Sequence, residues 1–185
     1  INAFAAGYSP SDAAVAVTRG ALNSLNRDEL QGVIAHEFSH ILNGDMRLNI
    51  KLMGLLFGIM VMALIGQKIL EHGRFRSKDA APIIGVALGL MVIGYIGLFF
   101  GRMIKAGVSR QREYLADASA VQFTRQTKGI AGALKKIGGL HDGSKLANAD
   151  AEEVSHMLFG SGISLSGMMA THPPLGDRIK ALDPA

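Results

Sequence analysis

The chain has 185 residues, 19 Lys+Arg against 15 Asp+Glu for a net charge of +4, and 49% apolar residues with only 18% charged. That length suits one domain, or one domain plus a membrane hairpin, and the apolar excess points toward lipid rather than toward a purely soluble surface. With no cysteine, a disulfide scaffold, a thiolate metal site and a cysteine nucleophile are all excluded, and 6% aromatic residues with scattered basic charge do not make a nucleic-acid groove.

The first residue is Ile1 rather than Met, which suggests a fragment or a processed chain with elements upstream. From Asn2 to Thr18 the sequence reads as a small β-hairpin: Ala13–Thr18 has strand character and follows the turn-like Gly7-Tyr8-Ser9-Pro10. A helix is expected from about Arg27 to Asn43. Asn26 is its N-cap and Glu29 completes a capping box, ahead of apolar residues at Leu30, Ile34, Ile41 and Leu42.

Two apolar stretches follow. Leu52–Gln67 carries 16 uncharged residues between Lys51 and Lys68, and Ala80–Gly101 carries 22. The second exceeds the roughly 30 Å hydrocarbon thickness at 1.5 Å per residue, and the first reaches it with snorkelling lysines. They are read as a transmembrane hairpin with a polar tip at Glu71–Asp79. The alternative is a buried helical pair in a soluble core. Gly54/Gly58, Gly85/Gly89 and Gly97/Gly101 stand at the spacing that lets membrane helices approach closely. Arg47, Lys51, Arg102, Lys105, Arg110 and Arg112 flank the outer ends, which biases those ends toward the cytoplasm. Further helices are expected over Val108–Phe123, Ile130–Ile137, Glu152–Leu158 and Leu175–Leu182, punctuated by Gly138-Gly139, Gly160 to Gly162 and Pro173-Pro174.

The chemistry sits on two of these helices. His36-Glu37-Phe38-Ser39-His40 is an H-E-x-x-H pattern. Histidines one helical turn apart face the same way and can share one zinc ion, with Glu37 beside the metal as general base. Glu113 and Asp117 stand four apart on the helix after the second span. Because a catalytic zinc site takes three protein ligands and leaves one position open, Glu113 is the natural third ligand beside His36 and His40. Asp117 is placed to accept the outer N–H of a ligand imidazole. On its own, the Glu113/Asp117 pair would read as a solvated face paired with Arg110 and Arg112. Asp45 is left open between a helix-end role and support of a ligand. His72, His141 and His156 have no ligand spacing and read as exposed or locally hydrogen bonded.

Taken together, these motifs resemble the integral-membrane zinc endopeptidases that include bacterial HtpX and the CAAX prenyl proteases. The likeness runs through Asn2-Ala3-Phe4, Val15–Gly20, His36–His40 with Asn43-Gly44-Asp45, Ser109–Asp117, and Thr171-His172-Pro173-Pro174 with Arg178-Ile179. The compact chain with few spans is closer to the HtpX-like branch. The resemblance implies a mainly α fold with a small β-sheet (α+β), a gluzincin-type core interrupted by a two-helix transmembrane hairpin. It divides into residues 1–47 with the substrate-edge strands and zinc helix, 48–104 as the hairpin, and 105–185 with the second ligand helix and C-terminal part.

The same resemblance implies one zinc ion per chain on His36, His40 and Glu113, Glu37 as base, Asp117 behind the ligands, and His172 near the substrate or its tetrahedral intermediate. Arg178 is a candidate to support that loop through a carboxylate. Substrate polypeptide, chiefly misfolded or damaged membrane protein, is expected to lie extended along the sheet edge near Asn2–Ala5. No nucleic-acid partner is expected. The expected location is the bacterial inner membrane, multi-pass, with the active site facing the cytoplasm and close to the bilayer surface, since the hairpin joins the two ligand-bearing helices. Two other readings stand beside this one. An intramembrane metalloprotease would place its motif inside an apolar span, yet charges at Arg27, Asp28, Glu29, Asp45 and Arg47 bracket this one. A non-catalytic membrane scaffold retaining a zinc fold would need the ligands but not Glu37.

Overall fold

A computed structural model describes residues 1–73, 80–139, 159 and 170–184. The expected helix over Glu152–Leu158, the glycines at 160 and 162, His141, His156 and most of the polar tip lie outside those residues. Strands β1 (Ala3–Ala6) and β2 (Ala14–Val17) lead into helices α1 (Arg19–Ser24), α2 (Arg27–Leu42), α3 (Asp45–His72), α4 (Ala80–Thr124), α5 (Thr127–Gly139) and α6 (Leu175–Leu182). The fold is mainly helical with a small sheet, as the sequence indicates. The chain divides into two compact units, one formed by Ile1–Leu48 with Ala106–Ala185 and the other by Asn49–Lys105.

In the first unit the strands pair antiparallel, with Ala3 opposite Val17 and Ala5 opposite Val15. Since the Thr18 N–H donates to the Asn2 carbonyl, the alternation of an antiparallel ladder turns the backbone groups of Ala3 and Ala5 to the other edge of β1. Thr18 ends the hairpin and opens a helix at Arg19-Gly20. Its hydroxyl caps α1 by accepting from the Ala21 N–H, so those two residues begin a helix.

Helix α2 starts on the expected reciprocal cap: Asn26 Oδ1 accepts from the Glu29 N–H at 2.9 Å, and Glu29 Oε2 accepts from the Asn26 N–H at 2.8 Å. Lys136 Nζ, 2.6 Å from the same Glu29 oxygen, neutralises this buried carboxylate from α5. The two helices cross where side chains are absent. A Cβ on Gly32 would stand 2.7 Å from the Ile130 nitrogen, and one on Gly129 would stand 2.5 Å from the Asp28 carbonyl oxygen. Val33, Ala35, Ile130, Ala133, Leu134 and Ile137 then close a core with Ala3, Ala21, Leu25, Ala120 and Phe159. Helix α5 extends beyond Ile137, so Gly138 and Gly139 form its last turn instead of a break after it.

In the second unit α3 and α4 run antiparallel. A Cβ on Gly66 would meet Ala87 and Met91, one on Gly94 would meet Ala63, one on Gly97 would meet Ile59, and one on Gly101 would meet Leu56. The close approach therefore uses Gly66, Gly94, Gly97 and Gly101 with Ala63 and Ala87. Gly54, Gly58, Gly85 and Gly89 face open space, so two of the three glycine pairs singled out in the sequence are not packing positions. Both helices are long and apolar enough to cross a bilayer. Their most apolar windows are only 6% and 11% buried, whereas the core helix of a soluble protein would be mostly covered by its own chain. Leu55, Phe57, Ile93 and Ile96 are among the large apolar side chains left exposed.

Candidate metal centre

Helix α2 carries two histidines one turn apart on its buried side. His36 is fully buried, and Phe38, one of the three intervening positions, points outward at 49% exposure. The two Nε2 atoms lie 3.0 Å apart. Glu113, from the buried side of α4, places Oε2 3.6 Å from His36 Nε2 and Oε1 3.5 Å from His40 Nε2. His36, His40 and Glu113 thus form a cluster in which each offers one ligand atom within 4.8 Å of the others. Neither Glu113 nor Asp117 belongs to a solvated face: they are 6% and 3% exposed.

The donor set fits a divalent cation. His36 Nδ1 is 2.9 Å from Asp117 Oδ1, and His40 Nδ1 is 2.8 Å from Asp45 Oδ2. An ionised carboxylate only accepts, so each contact keeps a proton on Nδ1 and leaves the neutral ring's Nε2 as a lone pair. Two such lone pairs and a carboxylate converging at 3.0 to 3.6 Å repel one another unless a cation sits among them. Ligand atoms about 2.0–2.1 Å from a tetrahedral ion are about 3.3–3.4 Å from each other, which matches this cluster.

The local electrostatics point the same way. Burial pushes the His40 imidazolium down, but the hydrogen bond it donates to Asp45 and the charges of Glu113, Glu37 and Asp45 outweigh it, and its pKa rises to about 9. The negative field that holds a proton there would equally attract a metal ion. His36 moves the opposite way because complete burial dominates over Asp117. Glu113 is also driven up by burial, yet the charges of His172 and Arg178 outweigh this and hold it well below the usual carboxylate range. It stays an anion available for ligation.

Glu37, beside His36 on α2, is 1% exposed and is pushed up to about 7, first by burial, against the charge of His40 and with that of Glu113. Its environment includes the Ala5 backbone N–H on the outer edge of β1, while Oε1 makes no hydrogen bond among the described residues. His172 enters from the segment before α6, with Nδ1 3.2 Å from Glu113 Oε2. Arg110 Nη1 donates to the Ala170 carbonyl at 2.9 Å and ties that segment to α4. Pro174 then occupies the N-cap position of α6 without a side-chain hydrogen bond, its carbonyl accepting from the Asp177 and Arg178 N–H groups.

Arg178 on α6 is completely buried. Its Nε and Nη2 donate to the two Asp117 oxygens at 2.8 and 2.7 Å, and Nη1 donates to the Phe159 carbonyl at 3.1 Å and lies 3.2 Å from Glu113 Oε2. The structure thus brings together His36, Glu37, His40, Glu113, Asp117, His172 and Arg178. His72 belongs to the second unit and is exposed.

Two further residues contribute, one whose role the sequence leaves open and one that it does not mark. Asp45 reaches His40 only because Gly44 takes a left-handed backbone, φ +68°, between α2 and α3. Phe159 packs edge-on against the His36 ring at 4.9 Å and beneath the Arg178 guanidinium at 5.1 Å. Its N–H donates to the Ala3 carbonyl at 2.8 Å. No spacing rule marks an isolated Phe as a cover over a histidine.

A family model described as Peptidase family M48 matches residues 1–185. The chain belongs to that family. It is 38% identical over 191 residues to a protein named Protease HtpX homolog from Streptococcus uberis, covering 98% of this chain and 63% of that protein. Proteins of the same name from Dictyoglomus turgidum, 39% identical over 183 residues, and Ligilactobacillus salivarius, 40% over 190, likewise cover 98% of this chain and 59% and 63% of their own lengths. The chain therefore spans about three-fifths of these curated relatives. No solved structure matches it.

Proposed function

We infer that the chain is the peptidase part of a membrane-bound zinc endopeptidase. The observation that carries this is the convergence of two imidazole lone pairs and one carboxylate beside a buried Glu37 that is not needed for ligation. A structural metal site requires ligands but no base, so the position of Glu37 favours turnover over a scaffold. Membership of family M48 and likeness to proteins named as proteases support the same reading.

Bound at His36, His40 and Glu113, one zinc ion would supply Lewis-acid polarisation of a peptide carbonyl and acidify water at neutral pH. Glu37, poised near pH 7, takes the proton from the attacking water and delivers it to the leaving amine. His172 faces the developing oxyanion. Asp117, held by both arms of Arg178, keeps His36 in the tautomer whose Nε2 faces Glu113.

Polypeptide adds to the outer edge of β1 in the manner of an extra strand. Ala3 already donates to Asn2 Oδ1 and accepts from Phe159, so the edge from Asn2 to Ala5 narrows to the end beyond Ala5, beside Glu37. The two apolar helices span the bacterial inner membrane as part of a multi-pass protein, and the flanking basic residues direct the site toward the cytoplasm. Its substrates are unfolded or damaged proteins, membrane proteins among them. Glu37→Gln in detergent should retain one zinc per chain and lose casein cleavage; cleavage at the wild-type rate would reject this mechanism.

A further inference from the structure

Each ligand imidazole is backed by its own carboxylate, and each carboxylate by its own arginine. On one side stand His36, Asp117 and Arg178. On the other, His40 Nδ1 is 2.8 Å from Asp45 Oδ2, and Arg112 Nη1 is 3.2 Å from Asp45 Oδ1. We propose that Asp45, held by Arg112, is the positioning residue that fixes the orientation and basicity of His40 as a metal ligand. This rests on the reading of His36, His40 and Glu113 as a metal centre.

Asp45 is the first residue of α3, and an acidic residue in a first helical turn needs no other explanation than the helix dipole. That role, however, favours exposure to solvent and asks nothing of a histidine. Asp45 is instead 5% exposed, with one oxygen directed at His40 and the other at a cation. The approach is built by the chain. Gly44, at φ +68°, turns the backbone immediately after α2, with its N–H donating to the Ile41 carbonyl and its own carbonyl accepting from the Leu48 N–H. The residue five positions after His40 is thereby folded back onto the imidazole, which an unbroken helix would not allow.

Arg112 precedes Glu113 on α4, so adjacent residues supply the third ligand and the clamp on the second ligand's carboxylate. An ionised Asp45 accepts and cannot donate, which keeps the proton on His40 Nδ1 and directs the Nε2 lone pair to the cluster. Its negative charge also makes that lone pair a stronger donor. Asp45 meets His40 at Nδ1, on the opposite side of the ring from the nitrogen that faces the cluster, so its effect is on how the ion is held.

The test uses cobalt(II) as a spectroscopic probe in the purified detergent-solubilised chain. Affinity is measured by chelator competition and coordination by the visible ligand-field bands. Asp45→Asn and Asp45→Ser both retain residues suited to a helix start, but the first removes the charge and the second the reach. Each should still bind one cobalt, about 10- to 100-fold more weakly than the wild type, with shifted bands. Arg112→Gln should weaken binding in the same direction, and Arg112→Lys should recover most of it.

Affinity within about twofold of wild type and superimposable bands in Asp45→Asn would overturn the proposal while leaving the metal centre intact. If the Asp45 variants do not fold by circular dichroism, the Arg112 pair decides, and equal affinity in Gln and Lys variants would overturn it. A wild-type chain that binds no cobalt, or one whose binding is insensitive to His40→Ala, would remove the metal-centre reading itself and the proposal with it.

Discussion

Replacing Arg178 by Met should destabilise the first unit severely, and more in the metal-free protein than in the loaded one. The guanidinium is wholly buried and faces two carboxylates, Asp117 through paired hydrogen bonds of 2.8 and 2.7 Å and Glu113 at 3.2 Å. Asp117 and Glu113 are themselves 3% and 6% exposed, so water cannot replace the lost cation. Met fills much of the volume and keeps contact with Phe159, which isolates the charge from the packing. Removing one partner of a buried ion pair costs about 3–5 kcal/mol because the remaining charge is left uncompensated. For a protein of this size that is roughly 6–20 °C in the melting temperature. A bound metal ion compensates Glu113 but not Asp117, so the loss shrinks without vanishing. Thermal melts in detergent, with and without metal, measure both quantities. Arg178→Lys should fall between, since a single ammonium cannot form the fork. A Met variant melting within about 2 °C of wild type in the metal-free state would refute this account of the cluster.

Other outcomes follow from the same geometry. Because Glu37 must be ionised to accept a proton and its pKa is raised to about 7, kcat/KM should fall about tenfold per unit below pH 7 and level off above it. A profile flat from pH 5 to 8 would exclude Glu37 as the base. Gly32→Ala would place its Cβ 2.7 Å from the Ile130 nitrogen, so α2 and α5 must separate. The expected cost is about 1–3 kcal/mol by thermal melting. Gly54→Ala, where a Cβ meets nothing within 4 Å, is the matched control and should not lower stability.

Legibility from sequence followed how local the determining interaction was. The capping box of Asn26 and Glu29, the β-hairpin and the helix over Leu175–Leu182 depend on near neighbours, and all are present. The pairing of His36 with His40 is equally local, since one helical turn aligns them. Glu113 and Asp117 were reachable by chemistry, from the number and kind of ligands a metal requires. The role of Asp45 stayed open between a helix end and support of a ligand, and that of Phe159 left no signal. The first depends on a positive φ at Gly44 and the second on a contact 156 residues away with Ala3. The hairpin shows the same limit: glycine spacing marks faces on which helices can approach, but only the register of α3 against α4 selects Gly66 and Gly94 over Gly54 and Gly85.

The most direct measurement is an anomalous-difference map collected at the zinc edge from crystals of the detergent-solubilised chain grown with one equivalent of zinc. A single peak is expected among His36 Nε2, His40 Nε2 and a Glu113 carboxylate oxygen, about 2.0–2.2 Å from each. The peak should be absent in Glu113→Ala. A peak elsewhere in the chain, or one that survives in that variant at full height, would contradict the account.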